Sequence, residues 1–150
     1  MVTISKSTVT AKIWENFYNL INAGVANPHT SGKWIYSSMP DFEIDTASDY
    51  PLMVISPVKI STEQLTMTKT TYTGTIDVEV YATSWATCDQ YFDDMLDAVE
   101  GYKFTLAEAG IRNLDLADTD DDTFERGKIK LHIKKATFQF EVILSRTGGF

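Results

Sequence analysis

The sequence predicts a single α+β domain over residues 1–150, a two-layer sandwich with a mostly antiparallel β-sheet packed against two main helices. Three observations carry this. Apolar residues recur at three- and four-residue spacing in two segments, 8–23 and 85–100. They alternate with polar residues in 75–82 and again along 128–144. The elements run helix, strands, helix, strands, with no internal repeat and no Gly-rich strand-to-helix turn of the dinucleotide-binding kind. The length of 150 residues, the 43% hydrophobic and the 23% charged fractions suit one globular unit with a sizeable core.

The first helix, 8–23, carries Val9, Ile13, Phe17, Leu20 and Ile21 on one face, with Ser7 or Thr8 to cap it and Gly24 to end it. Trp14 and Tyr18 widen the stripe, either as core or as reach toward a neighbouring subunit. Residues 24–51 read as connection, punctuated by Pro28, Gly32, Pro40 and Pro51, with a short edge strand at 34–36. Leu52 to Ile55 reads as a buried strand. Pro57 then demands an edge position or a bulge, with the strand resuming at Val58 to Ser61.

The threonine-rich stretch 61–73 favours extended backbone and reads as a protruding hairpin or arm. In 75–82, Ile76, Val78, Val80 and Ala82 share one face, with Thr75, Asp77, Glu79 and Tyr81 on the other. The second helix, capped by Thr83 or Ser84 and stopped at Gly101, buries Cys88, Phe92, Met95, Leu96 and Val99. Its aspartates Asp89, Asp93, Asp94 and Asp97 lie on the wet side, with acid near the first turn to suit the helix dipole. Residues 102–127 read as a less regular connection with a helical turn at 106–110 and an extended piece at 111–116. Beyond it, apolar residues sit at odd positions through Ile133 and at even positions from Ala136, so a bulge or tight turn is expected between Lys134 and Lys135. The expected central core is Ile76, Val78, Val80, Phe92, Leu96, Phe138, Phe140 and Val142.

Charge narrows the function classes. The formal net charge is -8, with 5 basic and 6 acidic residues in 1–75 against 8 and 15 in 76–150. That balance speaks against sequence-specific nucleic-acid binding, which needs a basic face. The single cysteine, Cys88, allows no intrachain disulfide and no cysteine zinc site, and its position on an apolar stripe suits a buried small hydrophobe. The start lacks the apolar run of a signal peptide and no stretch has bilayer length, so synthesis in the cytoplasm and no membrane partner are expected.

No constellation points to catalysis, and no cofactor or metal is expected. Asp118, Asp120 and Asp122 match the first three ligand positions of an EF-hand loop, but Thr123 stands where glycine is needed and Ile129 where a bidentate glutamate is needed. A solvated acidic loop, a docking surface for a basic partner and a metal site all remain open there. His29 and His132, more than 100 residues apart, make no ligand spacing. The basic run Arg126, Lys128, Lys130, Lys134 and Lys135 reads as a strand with a solvated face, as a subunit contact or, last of the three, as a nucleic-acid contact. Asp89, Asp93, Asp94 and Asp97 on one chain and Lys128, Lys130 and Lys134 on the next form the candidate subunit interface, of the head-to-tail kind that closes rings.

In three features the chain resembles the tail terminator proteins of tailed bacteriophages and the related minor tail and head–tail joining proteins. These are the first helix leading by a loop to Pro51–Ile55, the passage from Ile76 through Trp85 into the second helix, and the charged connection ending in the strand region 128–144. The resemblance implies a structural virion protein without catalytic residues. It implies a ring of copies of itself, usually six, at the head-proximal end of the tail, in contact with the major tail tube protein and a head–tail connector or neck protein. A neck or tail-completion protein of the same fold and a non-viral protein-binding module stand beside it as alternatives.

Overall fold

The computed structural model describes residues 9–29, 32–40, 49–66, 68–126 and 129–145. Helix α1 (Val9–Gly24) is followed by strands β1 (Ile35–Tyr36), β2 (Leu52–Ile55), β3 (Lys59–Leu65) and β4 (Lys69–Ala82). Helix α2 (Trp85–Gly101) and the short α3 (Lys103–Glu108) lead into the long strands β5 (Ile111–Arg126) and β6 (Ile129–Ser145). The six strands form one sheet in the order β1-β2-β4-β6-β5, with β3 also beside β4. All pairings are antiparallel except β1 with β2. The fold is thus α+β, a mostly antiparallel sheet with two main helices, as its periodicities require.

The helix layer rests on the even-numbered face of β4 and β6. Ile76, Val78, Val80, Ala136, Phe138, Phe140 and Val142 are buried there with Phe17, Phe92 and Met95 from the helices. Phe17 of α1 lies between two aromatic rings of β6, 6.1 Å from Phe138 and 6.2 Å from Phe140 between centroids. Burying a side chain of this size contributes about 1.5–3 kcal/mol. Leu96 is half-buried at the border of this core. Trp14 and Tyr18 stack on each other at 5.3 Å, and the Trp14 indole donates to the Ile55 carbonyl at 2.8 Å, so this aromatic pair fastens α1 to β2. At Gly24 an added Cβ would stand 2.8 Å from the Ala98 Cβ, so the absence of a side chain lets the two helices approach there.

Pro57 explains the broken strand. β2 pairs with residues 78–81 of β4 and β3 with residues 70–75, so both lie along the same edge of one long partner. The Ser56 N–H still bonds to the Asp77 carbonyl at 2.9 Å, and the chain then leaves the ladder across the proline and rejoins at Lys59. The threonine-rich stretch forms the β3–β4 hairpin, with the Thr66 N–H donating to the Lys69 carbonyl. It does not stand free, because Lys69–Thr75 also pair with β6.

Three expectations are corrected. First, β6 pairs with β4 in unbroken register from His132 to Ser145, so no bulge separates Lys134 from Lys135. The phase of the apolar residues changes because the buried face changes. Leu131, with Ile129 and Ile133 packed against it, joins Tyr50, Leu52, Val54 and Tyr81 in a second apolar cluster. Tyr36 and Met39 of the connecting segment pack on that cluster. Second, the connection after Gly110 is a 16-residue edge strand, and the acidic run lies within it. Third, α2 carries no acid in its first turn; Ser84 caps it by accepting from the Thr87 N–H, and Asp89 lies one turn further on. The expected caps of α1, Ser7 and Thr8, lie outside the described residues.

Candidate interaction surface

The helix layer does not cover the whole sheet. α2 packs over β4 and β6, while residues 115–123 of β5 are exposed. β5 holds two extra residues relative to β6, between Arg112 and Asp115 and between Leu116 and Asp118. Asn113, at φ 53°, takes the first of these kinks, and its side-chain amide donates to Glu141 at 2.8 Å. Between α2 and β5 lies a groove floored by Phe138 of β6.

One end of the groove is apolar. Leu96 and Val99 of α2, Leu114 and Leu116 of β5 and Phe138 of β6 line a cavity of about 240 Å³, with Asp97, Glu100 and Lys103 at its rim. Through Lys103 and Leu114 it adjoins a second cavity of about 410 Å³ beside Phe104, Ala107 and Ile111. Phe104 is 87% exposed and Leu116 46%, an unusual placement for large apolar side chains that sit side by side with open cavities. Nothing in the sequence marked these two, because the segment 102–116 lacks a clean period; its apolar content was the one available signal.

The other end is charged. Lys134 reaches up from β6 and its Nζ lies 2.7 Å from Asp89 Oδ1 of α2, with the ammonium also 5.3 Å from the Phe92 ring centroid. The hydrogen bond to Asp89 holds the Lys134 ammonium above its ordinary range; the charges of Asp89, Asp121 and Asp93 add to this, against the desolvation that opposes it.

The residues of the candidate subunit interface are thus divided. Asp89 and Lys134 pair within one chain. Asp93, Asp94 and Asp97 are exposed on α2, and Lys130 is exposed opposite Glu125 of β5. Lys128 lies outside the described residues. Lys135 sits on the other sheet face in a shallow depression with Glu79, Asp120, Asp122 and Ile133. Of the basic half of a head-to-tail contact, Lys134 is therefore already matched by an acid of the same chain.

The remaining residues that carry chemistry serve the fold. Asp118, Asp120 and Asp122 belong to an extended strand, where alternate residues stand about 6–7 Å apart along one face and do not wrap an ion as a loop does. Among the described residues no three His, Cys, Asp or Glu side chains group as metal ligands. His29 bonds through Nε2 to the Pro51 carbonyl at 3.0 Å, and the His132 ring packs on Trp85 at 4.4 Å. Cys88 is fully buried, its thiol directed at the carbonyls of Val80 and His132 at 3.4 and 3.5 Å. Burial pushes the Cys88 thiol up to about 11. Among the described residues no helix is long and apolar enough to cross a membrane.

No family model and no curated protein matches the chain. Among solved structures it is similar to the core region of PilO from the type IV pilus system of Pseudomonas aeruginosa. The identity is 12%, over 65% of this chain and 83% of that one, with a TM-score of 0.32.

The tail-terminator resemblance is thereby corrected. This similar structure is a pilus-system protein and not a virion component. The reading as a virion tail protein, its location at the head-proximal end of the tail and its tail-completion variant are withdrawn with it. The likeness had rested on a layout of helices and strands, which unrelated α+β proteins share. At a TM-score of 0.32 this similarity assigns no role to the chain either.

Proposed function

We propose that this chain is a protein-binding module that acts by contact and not by catalysis. The observation that carries the reading is the groove between α2 and β5, where Phe104 and Leu116 are exposed beside two adjoining cavities. Exposed apolar side chains at the rim of a concavity cost free energy in water, which a partner recovers by covering them. Aromatic side chains in such positions are the usual anchors of protein contacts. The chain's one thiol supports the non-catalytic half of the reading, since a buried protonated Cys88 is a poor nucleophile.

The test is a selection from a displayed random-peptide library against the full chain. The enriched sequences are then re-measured against the double variant Phe104→Ser, Leu116→Ser. Phe104 is almost fully exposed and Leu116 about half, so the variant is expected to stay folded, which its unfolding midpoint checks. Binders that lose affinity for it support the reading. A selection without enrichment, or binders indifferent to the double variant, overturns it.

A further inference from the structure

We propose that the α2–β5 groove takes a cationic segment of a partner protein, one that places an apolar side chain at the Leu116 end and lysines or arginines along the rest. The inference rests on the protein-binding reading above and names the chemistry of the partner.

Charge decides the partner. Asp97 lines the apolar cavity on the helix side; Asp93 is exposed one turn before it on α2, and Asp121 is exposed on β5 as the register partner of Lys134. Two of its basic groups are already engaged: Lys134 with Asp89 at 2.7 Å, and Lys103 with Glu100 at 2.9 Å. Arg112 lines the second cavity, beyond Lys103, so the stretch from Lys103 to Lys134 is the part that offers a partner acids with an apolar cavity at one end. A segment with cations and an apolar tip matches both parts, and the acids repel acidic competitors.

Geometry decides how it is held. β5 is an edge strand, but two extra residues distort its inner half and the row Asp118, Asp120, Asp121 and Asp122 guards its outer half. Bulges and charges of this kind discourage the addition of another strand. The partner is therefore gripped by side chains in the groove and not by extension of the sheet. A second copy of this chain is disfavoured as occupant, because it brings a net charge of -8 to a negative wall.

The experiment measures fluorescence anisotropy of three short labelled peptides against the full chain: one of lysine and leucine, one of glutamate and leucine, and one of lysine and serine. The lysine–leucine peptide is expected to bind at least about tenfold more tightly than either of the others. Asp93→Lys with Asp97→Lys, both at exposed positions, is expected to weaken that peptide about tenfold and to strengthen the glutamate–leucine one. Equal binding of the lysine–serine peptide would mean general charge attraction and would overturn the proposal. So would lysine–leucine binding that ignores the charge reversal.

If the glutamate–leucine peptide binds best and Phe104→Ser, Leu116→Ser abolishes it, the cationic partner is refuted while the protein-binding reading stands. Sedimentation of the free chain supplies the last arm: a dimer that the same double variant dissolves would make a second copy the occupant. If no peptide binds and the library yields no binder, both readings fail together.

Discussion

Lys134 of β6 and Asp89 of α2 form an ion pair, Nζ to Oδ1 at 2.7 Å, that ties the acidic helix to the sheet of its own chain. The lysine side chain is 23% exposed and the aspartate 50%, so water screens the pair only in part. The Phe92 ring lies under the ammonium as well.

This pair is measurable by a double-mutant cycle. Lys134→Met and Asp89→Asn are each expected to cost about 1 kcal/mol in chemical unfolding, with a coupling of about 0.5–1 kcal/mol, reduced by salt. The lysine is raised above its ordinary 10.5 in the folded chain. Its contribution is therefore complete at neutral pH and is lost as pH rises through the folded value. A coupling energy that is unchanged well above pH 10.5 would contradict the assignment.

The second apolar cluster predicts a core on the sheet face away from the helices. Leu131→Ala is expected to cost about 2–5 kcal/mol, close in size to the about 3–5 kcal/mol expected of Phe138→Ala on the helix face. Both residues are buried, at 0% and 3% exposure. If Leu131→Ala costs less than about 1 kcal/mol in a denaturant melt, that face is solvated and the cluster does not form.

Gly74 predicts a strict size limit inside β4. A Cβ there would meet the Lys59 carbonyl at 2.6 Å, with Ile60 and Phe140 atoms at 3.2 and 3.3 Å. Backbone cannot yield as a flexible side chain can, so Gly74→Ala is expected to destabilise by about 1–3 kcal/mol despite the better strand propensity of alanine. Amide exchange should quicken along β3, its hairpin partner, before the rest of the sheet.

Cys88 predicts a silent thiol. Its proton stays on to about pH 11 in the folded chain, against 9.0 for the ordinary group. A disulfide reagent at pH 8 should label the native protein only at the rate of unfolding, and the denatured protein at once. The sign for stability follows. The protonated thiol supports the fold fully below about pH 9, and that support fades as pH rises toward 11. Fast labelling of the native chain at pH 8 would show that the site is open.

Residues 76–82 and 85–100 show how far the sequence reaches. Alternation with period two and a stripe with period 3.6 are imposed by backbone geometry, so the strand, the helix and their inward faces were legible one residue at a time. The same holds for Pro57, which lacks the N–H that a ladder needs. The acidic strand β5 escaped because its outer half, Asp115–Thr123, is exposed and so carries no apolar alternation.

What the sequence alone determined is therefore the local part: the α+β content, the helix faces, the apolar core of β4 and β6, and the surplus of acid in the second half. Tertiary structure decided the rest. Whether Leu131 is core depends on which segment folds across the far sheet face. Whether Lys134 is free for a partner depends on Asp89, 45 residues earlier, standing above it. Whether Leu116 is buried depends on how far α2 spreads over the sheet, and it leaves Leu116 of β5 half exposed. Periodicity records the chain's own geometry, whereas burial and ion pairing are relations between distant segments that only the packed fold brings together.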